Sequence, residues 1–169
     1  FKFEREGKRP DGATIKLAFA LAFASNPQAP DAGFFTCQQL YPENFWSPAF
    51  QVHANTASRV AGVVFVADRP DEHQEFFKAF SGASETKPTA TGFTIATGRG
   101  EIAVITTARF RDLYGVAPPD ASRGARLAAL RFAVRDMDAA KSHLAGSRPA
   151  NGRLGGGPVF PRGPVARFA

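Results

Sequence analysis

Cysteine is almost missing from this 169-residue chain, which contains only Cys37. A single cysteine excludes an intrachain disulfide and suits a reducing compartment, so we expect a cytoplasmic protein. Long apolar runs are also missing, and no secretory leader is visible, so the sequence gives no reason to expect a membrane partner.

Acidic residues are fewer than basic ones. The chain has 15 Asp and Glu and 21 Lys and Arg, which gives a net charge of +6. A basic chain makes nucleic acid a partner to consider. The basic residues are scattered, however, and no helix-turn-helix, zinc-finger spacing or aromatic RNA-binding signature accompanies them. We interpret the charge as a solvated surface and expect no nucleic-acid partner.

Apolar residues are plentiful, at 44% with 17 phenylalanines, and the clearest pattern lies in residues 61–82. The apolar, β-branched run 62–66 predicts a buried strand. A helix follows, with Asp68 as a possible N-cap, Pro70 in its first turn and Gly82 at its end. Three phenylalanines fall on one face of this helix: Phe76, Phe77 and Phe80.

The strand-helix pattern returns at residues 129–146, where Asp136 takes the place of Asp68. In this second copy the strand alternates, which predicts that Arg131 and Arg135 face outward. A repeat of this size favours a modular architecture.

Hairpins and short elements fill the rest of the chain. Residues 1–9 and 13–24 predict one hairpin, and residues 92–97 and 101–106 predict another. Further predictions are a strand at 33–39, a short helix at 108–114, a linker at 116–124, and short strands at 159–160 and 165–168.

The strand predicted at 13–24 has two different faces. One face is bulky and predicted to be core, with Ile15, Leu17, Phe19, Leu21 and Phe23. The other is rich in alanine, and we expect another sheet, a helix or a second subunit to cover it, because a bare apolar face of this length would aggregate.

Residues 40–58 form a long connection without a clean period. It carries Tyr41, Phe45, Trp46, Phe50 and His53. Long connections in compact domains are often functional, so this one is interpreted either as a cover over a sheet end or as a ligand-contacting loop.

Four segments together resemble the glyoxalase-like branch of the vicinal oxygen chelate superfamily: GFFTCQQLYPENFW with FQVHAN, AGVVFVADRP, GRGEIAVITTARFRDLYG, and RLAALRFAVRDMDAA. The resemblance implies an α+β fold, in which repeated βαβββ-type modules form a cupped mixed sheet with helices on its outer face. It divides the chain into residues 1–58, the end of a first module whose start is missing; residues 59–116, a second; and residues 125–169, a partial third. It also implies a homodimer.

The metal chemistry of that superfamily is not matched by these residues. Its enzymes hold a divalent ion with His, Gln or Glu side chains from the first and last strands of each module. The first-strand positions fall at Ala61 and Ala129, which cannot bind metal. The last-strand positions fall near Cys37, Ala103 and Arg167, so the cofactor stays unknown and no metal residue is assigned.

The remaining candidates define a site near the strand 33–39. His53 is the candidate acid-base residue, and Cys37, Gln39, Tyr41, Phe45 and Trp46 are candidate ligand-binding residues. Two functions follow. One is a glyoxalase-like enzyme, a lyase, isomerase or dioxygenase acting on an unknown small molecule. The alternative is a metal-free protein that binds or sequesters a small molecule on the same scaffold.

Overall fold

The structure is a computed structural model that describes residues 1–146, so the strands predicted at 159–160 and 165–168 lie outside it. The strands are β1 Lys2–Lys8, β2 Thr14–Ala24, β3 Phe34–Gln39, β4 Ala57–Val66, β5 Lys87–Thr89, β6 Gly92–Ala96, β7 Glu101–Ile105 and β8 Arg126–Val134. The helices are α1 Gln74–Ser81, α2 Thr107–Tyr114 and α3 Met137–Gly146. None of these helices is long and apolar enough to cross a membrane.

Two sheets carry the fold, and the predicted α+β class is confirmed. Strands β1, β2 and β3 form an antiparallel sheet, called here the small sheet. The main sheet is mixed and has the order β5-β6-β7-β4-β8, with β4 parallel to β7 and antiparallel to β8. It is open, because its edge strands β5 and β8 pair with no further strand among the described residues.

The segment from β4 to β7 has the order strand, helix, then three strands. Both predicted hairpins form, as β1-β2 and β6-β7. The short strand β5 was not predicted; it is only three residues long, contains Pro88 and is exposed, so it has little apolar patterning to recognise.

The first strand-helix unit is confirmed, with one change at its connection. A 3₁₀ turn, Pro70–His73, separates β4 from α1, and Pro70 occupies its first position. The helix ends at Gly82, whose φ of 71° is the left-handed conformation that glycine tolerates. The prediction that Asp68 caps the helix is wrong, because the extra turn moves the helix start to His73 and leaves both N-caps without a side-chain hydrogen bond.

The second strand-helix unit is also confirmed, and here the aspartate does cap its helix. Asp136 Oδ1 accepts hydrogen bonds from the backbone N–H groups of Asp138 and Ala139, both at 2.9 Å. In this unit the helix follows the strand directly, so the carboxylate lies beside the free N–H groups of the first turn.

The centre of the main sheet is covered on both faces, whereas Leu127, Leu130 and Phe132 at its β8 edge are exposed. On one face, Phe65 and Val104 pack with Phe77 of α1. On the other face, Val64 and Ala103 pack with Phe110 of α2. Alternation along β4 explains this arrangement, because successive apolar residues of an interior strand point to opposite faces.

The small sheet packs on α1 through its alanine-rich face, so the prediction that β2 has its core on the bulky face is wrong at the Phe23 end. Ala24 is in register with Phe34, and Phe34 contacts Phe76, Phe77 and Phe80. Phe23 and Phe35 lie on the opposite face and are 68% and 50% exposed. The alanine-rich face is covered at Ala18 and at Ala24, whereas Ala22 between them is exposed.

Candidate functional site

Four of the predicted ligand-binding residues lie together on the exposed face of the small sheet. The register pairs Cys37 with Leu21 and Gln39 with Phe19, which places both on the face opposite the core. The indole Nε1 of Trp46 donates a 3.0 Å hydrogen bond to Gln39 Oε1. Phe45 packs edge-on against Phe19, with ring centroids 4.9 Å apart. Strand pairing and the Trp46–Gln39 hydrogen bond therefore bring together the four predicted residues, which lie within nine positions of one another in the sequence.

The other two predicted residues do not join this group. The Tyr41 ring lies 5.7 Å from the ammonium of Lys16. Lys16 is on the alanine-rich face of β2, which is opposite the face that carries Cys37 and Gln39. A neighbouring carboxylate, Glu4, raises the pKa of Lys16 at this exposed position. His53 is exposed, and its imidazole makes no hydrogen bond or ring contact with residues 1–146. Its acid-base role stays a prediction.

The residues of the described part do not fit a divalent metal. Within residues 1–146, no three His, Cys, Asp or Glu side chains are gathered so that they could hold an ion. Three of the positions considered for ligands are alanines, Ala61 on β4, Ala103 on β7 and Ala129 on β8, whose methyl groups cannot bind a metal. Arg167 lies outside the described residues.

An ion pair that sequence reasoning missed crosses the main sheet on the α2 face. Arg131 of β8 reaches over Gly62 of β4 to Glu101 of β7, with 2.5 Å between Nη2 and Oε1. The prediction that Arg131 faces outward is therefore wrong: its side chain is 31% exposed, and its Nε is buried without a hydrogen-bond partner. The signal that was available is Gly62, the one residue without a side chain in a strand of valines.

The ion pair also affects α2, through Tyr114 in its last turn. Burial raises the pKa of the Tyr114 phenol above its usual value of 10.0, Glu101 adds to the rise, and Arg131 opposes it. The phenol therefore stays neutral across the physiological range, and it can donate or accept a hydrogen bond.

A cavity of about 300 Å³ lies where the β4–α1 connection meets the loop before β8. His73 is part of its wall, is only 4% exposed, and has an Nδ1 without a hydrogen-bond partner. Burial lowers the pKa of His73 below 6.5, partly offset by the carboxylate of Glu72. A second cavity, of about 340 Å³, is an open depression over the paired strands β1 and β2 near Arg5 and Ile15. The predicted ligand-binding residues line neither.

The lowered pKa of His73 predicts a pH-dependent stability. Well above pH 6.5 the imidazole is neutral in both states; as the pH falls through that value, the unfolded chain takes up a proton more readily than the folded one. The free energy of unfolding should therefore decrease on acidification from about pH 7 to about pH 5. Urea unfolding at several pH values measures it.

Two variants separate His73 from the other groups that titrate in this range. In His73→Phe the free energy of unfolding should fall less on acidification than in the unmodified chain, because the variant lacks the buried proton acceptor. His53→Phe is the control, because that side chain is exposed. An equal slope in the unmodified chain and in His73→Phe would contradict the assignment.

Comparisons with protein-family models, with curated proteins and with solved structures give no match for this chain.

Proposed function

We propose that this chain binds a small organic molecule on the exposed face of the small sheet, without the help of a metal ion. The observation that carries the proposal is the hydrogen bond from Trp46 to Gln39, because it holds a large aromatic ring on an open surface. Trp46 is 57% exposed, so most of its indole is available for contact.

The surroundings of Trp46 have the composition of a ligand surface. Phe45 of the loop packs edge-on against Phe19, which is in register with Gln39, and Cys37 adds a small polarizable group on the same face. Ligand sites are mostly apolar, with a few polar groups in defined positions. Gln39 supplies such a group, because its amide N–H₂ stays available while Oε1 accepts from the indole.

The test is the emission of Trp46, which is the only tryptophan. Small oxygenated aromatic compounds, beginning with catechol, should change the emission on titration, and a chelator should leave the response unchanged. Gln39→Ala should weaken binding severalfold by releasing the indole, and His53→Ala should weaken it if the loop closes over the ligand. Gln38→Ala is the matched control, since Gln38 precedes Gln39 in β3 and its side chain lies on the opposite face of the small sheet.

Two results would count against binding at this surface. One is an emission that no compound of the panel changes. The other is an equal loss in Gln38→Ala and Gln39→Ala, which would mean that the sheet as a whole, and not the Trp46 face, controls the response.

A second candidate function is a glyoxalase-like enzyme, of the lyase, isomerase or dioxygenase class. The order of β4, α1, β5, β6 and β7 favours it, since this order is that of a βαβββ module. Metal analysis of the purified protein distinguishes the two candidates. A stoichiometric divalent ion, with ligand binding that a chelator abolishes, would support the enzyme and overturn metal-free binding.

A homodimer and a cytoplasmic location complete the proposal. The dimer rests on the resemblance to the glyoxalase-like proteins, and light scattering measures the mass that decides it. The location is supported by the exposed, unpaired thiol of Cys37, which suits a reducing compartment.

A further inference from the structure

We infer that β8 is the interface through which two copies of this chain associate, with the two β8 strands paired antiparallel so that the two main sheets become one. The inference rests on the homodimer of the proposed function and names the surface that forms it. Three features of β8 carry it: an open backbone edge, charges that are already neutralised, and a row of exposed apolar side chains.

The two edges of the main sheet differ in how they are protected against pairing. The β5 edge is only three residues long and contains Pro88, which has no backbone N–H to donate. The β8 edge is nine residues long and contains no proline, glycine or lysine. Among residues 1–146, no further strand pairs with its outer side. Its outer N–H and C=O groups are therefore a row to which another strand can add.

The charged side chains of β8 do not guard this edge. Arg131 reaches back over Gly62 to Glu101 within its own sheet. Arg126, at the start of the strand, donates a hydrogen bond to Asp31 at 2.9 Å. Both arginines are thus neutralised inside their own chain, so like-charge repulsion between two β8 strands is small.

An apolar row lies along the same strand, on the face of the main sheet that α1 covers at its centre. Three side chains of β8 are more than half exposed: Leu127, Leu130 and Phe132. Leu127 and Leu130 are in register with Phe65 and Val63 of β4, which pack in the core on the α1 face. Phe132 follows Leu130 by two residues and so lies on the same face. A contiguous apolar row of this kind is typical of a surface that a partner covers.

The geometry of β8 suits its own copy. When two identical edge strands pair antiparallel, the two-fold axis is perpendicular to the sheet, so the α1 faces of both copies lie on the same side. The two apolar rows then adjoin across the axis. Leu130 is the central residue of Arg126–Val134, so full overlap of the strands sets Leu130 opposite Leu130 of the second copy.

The size of this surface predicts how tightly the two copies bind. The three exposed side chains present roughly 300 Å² of apolar surface per copy. With the paired backbone, the two copies together bury on the order of 1,000 Å², which is at the lower end of specific interfaces. We therefore expect a reversible dimer with a dissociation constant in the micromolar range.

Sedimentation of the full chain over a range of concentrations tests the inference. The mass should rise from one chain to two as the concentration rises. Leu130→Lys should weaken the association at least about tenfold, because it sets two ammonium groups against each other at the axis. Val52→Lys is the matched control, since Val52 is an apolar residue that is 77% exposed in a different segment, and it should associate like the unmodified chain. Circular dichroism should show the same fold in both variants, because each replaced side chain is exposed.

A cross-link assigns the contact to β8. Opposite Cα atoms of an antiparallel pair are about 4.5–5.5 Å apart, which a disulfide can span. Leu130→Cys, with Cys37→Ser to remove the native thiol, should therefore form an interchain disulfide on oxidation. Thr89→Cys in the same background is the control on the β5 edge and should stay a single chain.

The outcomes separate the interface from the homodimer. A dimer that Leu130→Lys leaves unchanged, or that Leu130→Cys does not cross-link, would overturn the β8 interface and leave the homodimer standing. A single-chain mass at every concentration, as expected if residues 147–169 covered β8 instead, would overturn both. Ligand binding at the Trp46 surface is judged by its own titration in either case.

Discussion

Phe77→Ala should cost about 3–5 kcal/mol of unfolding free energy, the largest loss expected from a single truncation in this chain. Phe77 is 1% exposed and is the residue on which both sheets converge. Its ring centroid lies 4.7 Å from that of Phe65 in the main sheet and 5.7 Å from that of Phe34 in the small sheet. Truncation would leave a cavity among rigid rings that cannot close it.

Urea unfolding followed by circular dichroism measures this loss. Phe23→Ala is the matched control, because the same atoms are removed from a ring that is 68% exposed, and its effect should stay within about 1 kcal/mol. A loss in Phe77→Ala no larger than that in Phe23→Ala would show that the two sheets are not held together through α1.

Gly62→Ala should cost about 2–4 kcal/mol, although it adds only one methyl group. A Cβ at Gly62 would lie 2.6 Å from the carbonyl oxygen of Glu101 and 2.7 Å from Nη2 of Arg131. The first contact pushes apart two parallel strands, and the second displaces the guanidinium from its half-buried carboxylate. Displacement leaves two charges poorly solvated, which is the expensive part of breaking such a pair.

The control for this variant is Gly98→Ala, since a Cβ there would meet nothing within 4 Å. Adding Arg131→Ala to Gly62→Ala should cost less than the sum of the two single changes, because the methyl group then has only the strand carbonyl to avoid. Additive losses, measured by urea unfolding, would show that the guanidinium does not lie over Gly62.

The strand-helix units could be predicted because their evidence is local. The apolar run of β4 and the phenylalanine face of α1 lie within about 20 residues, and both patterns are decided by backbone periodicity. The hairpin of β1 and β2 was predictable for the same reason, since Gly12 has a φ of 85° and lies at the tip.

The functional clusters were predictable only in part. Cys37, Gln39, Phe45 and Trp46 are close in sequence, so a single loop could bring them together. The cavity at His73 combines residues more than 50 positions apart, Asp68 with Arg123, and the ion pair of Glu101 with Arg131 depends on strands that are neighbours only through β4. Strand order cannot be inferred from periodicity, so neither cluster had a signal in the sequence beyond its glycines.

The sequence by itself determined the two strand-helix units and the two hairpins, because turns and apolar alternation act between near neighbours. The α+β class was expected from the resemblance to the glyoxalase-like proteins. Only the tertiary structure decided which face of the small sheet is core. Both faces of β2 are apolar, and alternation does not say which one a neighbouring element covers. At the Phe23 end of β2 the alanine-rich face is the one that packs, because Phe34 on that side enters the ring cluster of α1 and the bulky residues Phe23 and Phe35 lie at the surface. At the other end Leu17, on the bulky face, is buried as well.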